Sequence, residues 1–188
     1  SSDLYTFVAD VINRAPASVW SYPYLVTKVR FPVEMLPVVQ VGAAGLQLLL
    51  ALLVTLPFML WRGGLHWAVL LLPLYLLPLL LYVLALGWLL GALSVYLRDI
   101  GHLAPSFSSL LLFLTPIFYP ASMVPASLRW MVDLNPLAWA AEAARSVLLN
   151  GTAAPWQGWG VHLVVSCILA IMGWAFFQRV KPGFADVL

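Results

Sequence analysis
Apolar positions along this chain gather into long runs, separated by short polar segments marked by proline and glycine. Residues 36–61, 67–96, 103–119 and 159–177 are such runs. Each is long enough, or nearly so, to cross the roughly 30 Å hydrocarbon core of a bilayer as a helix, at about 20 residues per crossing. The third is the shortest and implies a short or tilted crossing. Residues 4–12 are apolar but too few to cross alone, so residues 1–12 read as the end of a preceding membrane helix. Residues 13–34 are polar and proline-punctuated, a loop with short helical pieces. Arg62-Gly63-Gly64 turns the chain between the first two spans. The chain opens Ser1-Ser2-Asp3, without methionine or a leader pattern, and is expected to be a fragment whose N-terminal helices lie before Ser1.

Residues 120–157 are not an ordinary hydrophilic loop. Leu128, Trp130, Met131, Val132 and Leu134 predict a short helix over 124–134. Asn135 is a good N-cap, Pro136 suits the first helical position, and Asn150-Gly151 is a stop, so 136–149 predicts a helix of about four turns. Both are too short to span and too apolar to float free. They are expected either to dip into the outer leaflet as a re-entrant pair or to pack over the pore mouth.

Composition fixes the class. The chain is 63% hydrophobic and 9% charged, against roughly 45–50% and about 25% for a soluble domain. It is an all-α integral membrane protein. With four alternating spans, Arg14, Lys28, Arg30, Arg98, Arg179 and Lys181 fall on one side and Arg62, Arg129 and Arg145 on the other. The positive-inside rule puts the first group in the cytoplasm, with the loop 13–34 and the tail 178–188, and leaves 120–157 outside. Trp61, Trp67, Trp156, Trp159 and Trp174 sit at span edges, where amphipathic rings anchor at headgroup level. Pro57, Pro73 and Pro78 lie inside apolar runs, and each removes a backbone donor and tends to kink its helix.

Catalytic chemistry is sparse. The sequence contains no glycine-rich loop ending in Gly-Lys-Ser or Gly-Lys-Thr, no His-Glu-x-x-His and no Gly-x-Ser-x-Gly. The seven acids are scattered, and His66, His102 and His162 fall on three segments, as packing or interfacial residues. Cys167, the one cysteine, reads as a small buried apolar residue. A net charge of +2 is too small to imply nucleic acid. Glu142 and Arg145 are three apart and pair on one helix face, either as a functional charge pair at membrane depth or as a local bridge that solvates the helix. The loop residues Arg14, Pro16, Trp20, Tyr22, Tyr24 and Lys28 either anchor to headgroups or form a helix that docks into a groove of a soluble partner.

Several motifs occur in a telling order. They are Thr27-Lys28-Val29-Arg30-Phe31-Pro32-Val33-Glu34-Met35-Leu36-Pro37, then Pro116 to Pro120, Asn135-Pro136, Arg145 to Leu148, and Phe184-Ala185-Asp186-Val187-Leu188. Together they resemble the membrane permeases of type-2 ABC exporters, in particular those that export lipid-linked polysaccharides such as O-antigen, with departures at Thr27 and Val33. The resemblance implies an all-α transmembrane domain of six helices when complete. It implies a transporter of two copies of this chain and two nucleotide-binding ATPase subunits in the bacterial inner membrane, with the C-terminus cytoplasmic. ATP and magnesium would be bound by the ATPase, and no cofactor by this chain. Residues 14–30 would hold the coupling helix, with Arg14, Pro16, Trp20, Tyr22, Tyr24 and Lys28 as contacts. The two helices of 120–157 would gate the exit through Trp130, Trp139, Glu142 and Arg145. The substrate would be an undecaprenyl-linked glycan, or teichoic acid in relatives, stacking on Tyr5, Phe7, Phe107, Phe113, Phe118 and Tyr119. Each of these six rings serves equally as lipid or core packing. Three other readings stay open: a drug or small-lipid exporter of the same fold, a membrane-embedded polyprenyl-phosphate transferase centred on Arg98-Asp99, and a non-transporting scaffold.

Overall fold
The computed structural model describes residues 2–21, 32–61, 66–117, 123–125, 127 and 129–184. Among these the regular elements are helical: α1 (Ser2–Arg14), α2 (Ala17–Trp20), α3 (Met35–Trp61), α4 (Leu72–Tyr96), α5 (Ile100–Leu114), α6 (Arg129–Asp133), α7 (Pro136–Arg145) and α8 (Trp156–Val180). A 3-10 turn, Trp67–Leu71, leads into α4, and another, Lys181–Gly183, follows α8. Among the described residues three segments are long and apolar enough to cross a membrane: Met35–Thr55, Trp67–Tyr96 and Trp156–Gly183.

α5 is apolar but only 15 residues long, about 22 Å at ~1.5 Å per residue. It starts at residue 100 rather than 103, and Thr115 and Pro116 already form a turn. Phe118 and Tyr119 lie outside the described residues. α1 buries Leu4, Phe7, Val8, Val11 and Ile12, the i, i+3, i+4, i+7, i+8 stripe of a helix with one apolar face. It runs on to Arg14, so the loop expected from residue 13 begins later. The last helix runs past 177 to Val180, and among the described residues after it Phe184 is fully buried, its ring 5.4 Å from that of Phe177 and 6.0 Å from that of Tyr96. Cys167 is half-buried rather than buried.

α4 and α8 share the most extensive helix–helix contact among the described elements, and they run parallel. Trp159 Nε1 donates to the Leu74 carbonyl at 2.8 Å near their first turns, and the Tyr96 hydroxyl donates to the Val180 carbonyl at 2.9 Å near their last. Between these points the backbones touch. A β-carbon added at Gly173 would lie 2.8 Å from the Ala85 carbonyl oxygen, so only glycine permits this approach. α1 packs on α3 and α5. α1 and α4 run towards the end carrying α2 and Lys181, and α3 and α5 run back. Pro16 and Glu34 lie near Ser94 and Lys181, whereas Leu4, Leu52 and Leu148 meet Leu72.

The prolines divide by position. Pro73 is in the first turn of α4 rather than in its interior, where its missing donor would be unused anyway. Pro57 and Pro78 are interior, as is Pro105 in α5. Pro78 cannot donate to the carbonyl four residues earlier, which is Leu74. That carbonyl is the one that accepts from Trp159. The indole thus supplies, from α8, the donor that α4 lacks, as membrane helices require of their neighbours. Trp159, expected at the interface as a headgroup anchor, makes a helix–helix bond.

This pairing gives a double-mutant test. Trp159→Phe should destabilise the protein by about 0.5–1.5 kcal/mol. In a Pro78→Ala background, where residue 78 regains its N–H, the same substitution should cost close to nothing. Thermal unfolding of the four variants in detergent measures the coupling.

Candidate functional site
Both ends of the α4–α8 pair carry structured polar assemblies. At the first end, α2 lies against α4. Its sequence is short and mostly apolar, and packing rather than a side-chain cap holds it: Ala15, Pro16, Ser18 and Val19 are buried. The Ser18 hydroxyl donates to the Ala15 carbonyl at 2.6 Å, and the Ser94 hydroxyl donates to the Pro16 carbonyl at 2.6 Å. Val19 continues into a small core with Val33, Ala92, Val95, Phe177 and Phe184. Beside it Lys181 Nζ donates to Glu34 Oε2 at 2.6 Å, and Trp88 Nε1 donates to the Glu34 carbonyl at 3.0 Å. Partial burial raises the Glu34 carboxyl. Hydrogen bonds from Lys181, its own backbone and Gln178, with the lysine charge, outweigh that, so its pKa lies below the ordinary glutamate value.

Of the residues expected at this end, Arg14 is exposed and pairs with Asp10 at 2.7 Å. Pro16 is buried, and its carbonyl accepts from Ser94 of α4. Trp20 closes α2, and its side chain, with Tyr22, Tyr24 and Lys28, lies outside the described residues. Glu34 and Lys181 were not singled out as a pair. They are 147 residues apart, and no local spacing signals them.

At the opposite end, α6 is a single turn over Arg129–Asp133, shorter than the helix expected for 124–134. α7 is α-helical only to Arg145, and Ser146–Asn150 widens into a π turn. It stops at Gly151, whose φ of +65° suits glycine. Asn135 caps α7 through Oδ1, which accepts from the Leu137 N–H at 3.0 Å, while its Nδ2 donates to Thr115 Oγ1 at 3.0 Å. One side chain thus fixes the α6–α7 corner to the end of α5. α7 buries Pro136, Leu137, Ala138, Ala140, Ala141, Ala143 and Ala144. It is wrapped by protein, mainly α4 and also α1, α6 and α8. Arg145 donates to Glu142 at 2.8 Å and reaches the Ile117 carbonyl at 3.5 Å.

Trp139 points inward. Its ring lies 6.0 Å from Tyr75, edge-on, and stacks on His162 at 5.2 Å. Tyr75 is fully buried and its hydroxyl donates to the Ala154 carbonyl at 3.1 Å. Trp130 is exposed on α6. A pocket of about 470 Å³ opens beside these groups, lined by Asp133, Trp139, Glu142, Gln157 and His162 among others.

The aromatic candidates do not form one surface. The Tyr5 hydroxyl donates to the Ser108 carbonyl at 3.1 Å, which turns this ring to α5. Phe7 is 3% exposed within the α1–α3–α4 core, a correction, since a ring so buried presents no face to a sugar in this arrangement. Phe107 and Phe113 are exposed on α5. Phe118 and Tyr119 lie outside the described residues.

The Glu34–Lys181 tie carries a pH signature. A depressed carboxyl stabilises the fold above its unfolded pKa, and the contribution is lost as pH falls through its folded value. Wild type should therefore melt higher than Glu34→Gln at pH 7, and the gap should close below the ordinary glutamate range. Melting midpoints of both proteins at pH 7 and pH 3 check this; a gap that widens in acid contradicts it.

The sequence pattern of the family described as "ABC-2 type transporter" matches residues 11–149. Among curated proteins, an O-antigen export system permease protein RfbA of Klebsiella pneumoniae is 26% identical over 167 residues, covering 87% of this chain and 64% of the relative. The protein of the same name from Myxococcus xanthus is 28% identical over 169 residues, covering 86% and 64%. This chain thus spans a little under two-thirds of the length of those relatives. A family match reaching from the last turn of α1 to the π turn after α7, on a bundle of apolar helices, leads to one assignment: the chain belongs to the ABC-2 type transporter membrane family.

Proposed function
We propose that this chain is the membrane subunit of an ATP-driven exporter that moves a lipid-linked polysaccharide across the bacterial inner membrane. The observation that carries the proposal is the family match together with relatives named as O-antigen export permeases. In this reading the end bearing α2 is cytoplasmic. Among the described residues Arg14, Arg98, Arg179 and Lys181 lie at that end, and Arg129 and Arg145 lie at the other, which is the charge bias of an inward face. A separate ATPase, two copies in the assembly, binds ATP and magnesium and meets the segment that follows α2.

The packing supports a route for force. α2 is seated on α4 through Ser94 and Val19, and Glu34 and Lys181 join the start of α3 to the end of α8. A push at α2 is delivered to α4 and α8 together. Their close contact passes it as a rigid unit to the far end, where α6 and α7 shape the exit. The path for substrate runs along α5, between two copies of the chain. α5 is too short to face lipid along a full hydrocarbon thickness of roughly 30 Å. Its exposed Leu103, Phe107, Leu110 and Leu114 form one stripe, with Phe113 beside it. Exposed phenyl rings offer sugars flat apolar faces without directional bonds, so a polymer is held weakly and repeatedly as it slides.

The test is export in cells lacking the chromosomal copy. Wild type should restore surface polysaccharide. The double variant Phe107→Ala/Phe113→Ala should lower it several-fold and leave lipid-linked glycan inside, with membrane insertion and ATPase association unchanged. Full surface polysaccharide in the cells without any copy, or chemical turnover of a substrate by the purified chain alone, would overturn the proposal.

A further inference from the structure
His162 occupies an unusual position. It lies two turns into α8 and is 6% exposed. Nδ1 lies 2.8 Å from the Gly158 carbonyl oxygen, one turn back on α8, and Nε2 lies 3.1 Å from the Asp133 carbonyl oxygen, the last of α6. The ring also stacks on Trp139 of α7, 22° from parallel. One side chain therefore touches α6, α7 and α8.

Both ring nitrogens face carbonyl oxygens, which only accept. A neutral imidazole carries one N–H, so it satisfies one carbonyl and turns a lone pair to the other; an imidazolium donates to both. The other titratable groups around the ring are Asp133 of α6, Glu142 of α7 with its partner Arg145, and Tyr75 of α4 behind Trp139. The pocket lined by Asp133 and Glu142 adjoins the ring and gives protons a way in.

We infer that His162 is a proton-dependent positioning residue for α6. The protonated ring ties the Asp133 carbonyl to α8 and seats α7 beneath it. The neutral ring keeps the bond within α8 and releases α6. That α6 and α7 shape an exit rests on the function proposed above; the latch does not.

Amide exchange in the intact transporter in lipid nanodiscs tests it, with rates normalised to the unstructured value at each pH. From pH 5 to pH 8, protection of residues 129–135 should fall by about threefold to tenfold, the scale of one hydrogen bond. In His162→Gln it should not depend on pH, whereas His102→Gln should behave as wild type. The wild-type protein labelled with ¹⁵N-histidine, studied by solid-state NMR, should show protons on both ring nitrogens of His162 at pH 5. A ring with a single proton at pH 5, or an unaltered pH profile in His162→Gln, overturns the inference. Neither measurement needs substrate or nucleotide, so the outcome is independent of the export assay.

Discussion

The contact between α4 and α8 is the constraint from which the other packing follows. Two parallel helices approach until a backbone carbonyl of Ala85 nearly touches Gly173. In a bilayer, burial of apolar surface does not drive helices together, because lipid is as apolar as leucine; close packing and interhelical hydrogen bonds do. This pair has both. Trp159 answers the carbonyl that Pro78 leaves without a donor, and Tyr96 answers a carbonyl at the last turn of α8. With the pair fixed along its length, its two ends become platforms.

Each platform is finished by polar side chains acting at long range in sequence. At one end Ser94 and the Glu34–Lys181 pair hold α2, the entry to α3 and the end of α8 together. At the other, Asn135, Arg145 and His162 bind the α6–α7 corner to α5 and α8. The bonds to backbone carbonyls satisfy acceptors at helix ends that lack a partner within their own helix. In the proposed function the assembly serves as a strut between the α2 end and the α6–α7 end.

The sequence disclosed the membrane class, the long apolar spans, the Asn135 cap and the Gly151 stop, because each depends on composition or on a few adjacent residues. The motif order from Thr27 to Leu188 carries the family resemblance in the sequence alone. Tertiary partners were not legible. The role of Trp159 depends on Pro78, 81 positions earlier, and nothing in the run from 67 to 96 says which carbonyl an indole will meet. Glu34 and Lys181 look like two scattered charges until the chain brings them together. The helix expected over 124–134 contracted to one turn, and α7 proved buried on nearly every side, because alanine-rich faces pack closely against several helices at once. Phe7 was a candidate for sugar contact on residue type alone, and the α1 stripe that it shares with Leu4, Val8 and Val11 turns it into the core.

Transmission by a rigid α4–α8 unit is the claim on which the proposed mechanism rests. Spin labels at Leu77→Cys and Ile171→Cys, in a Cys167→Ser background and with labelled chain diluted into excess unlabelled Cys167→Ser chain in the assembled transporter, report the distance between the two helices of one copy by electron paramagnetic resonance. The account predicts one narrow distance distribution, the same without nucleotide and with ATP bound. A distribution that shifts or splits when ATP binds would mean that the helices slide past each other, and would contradict it.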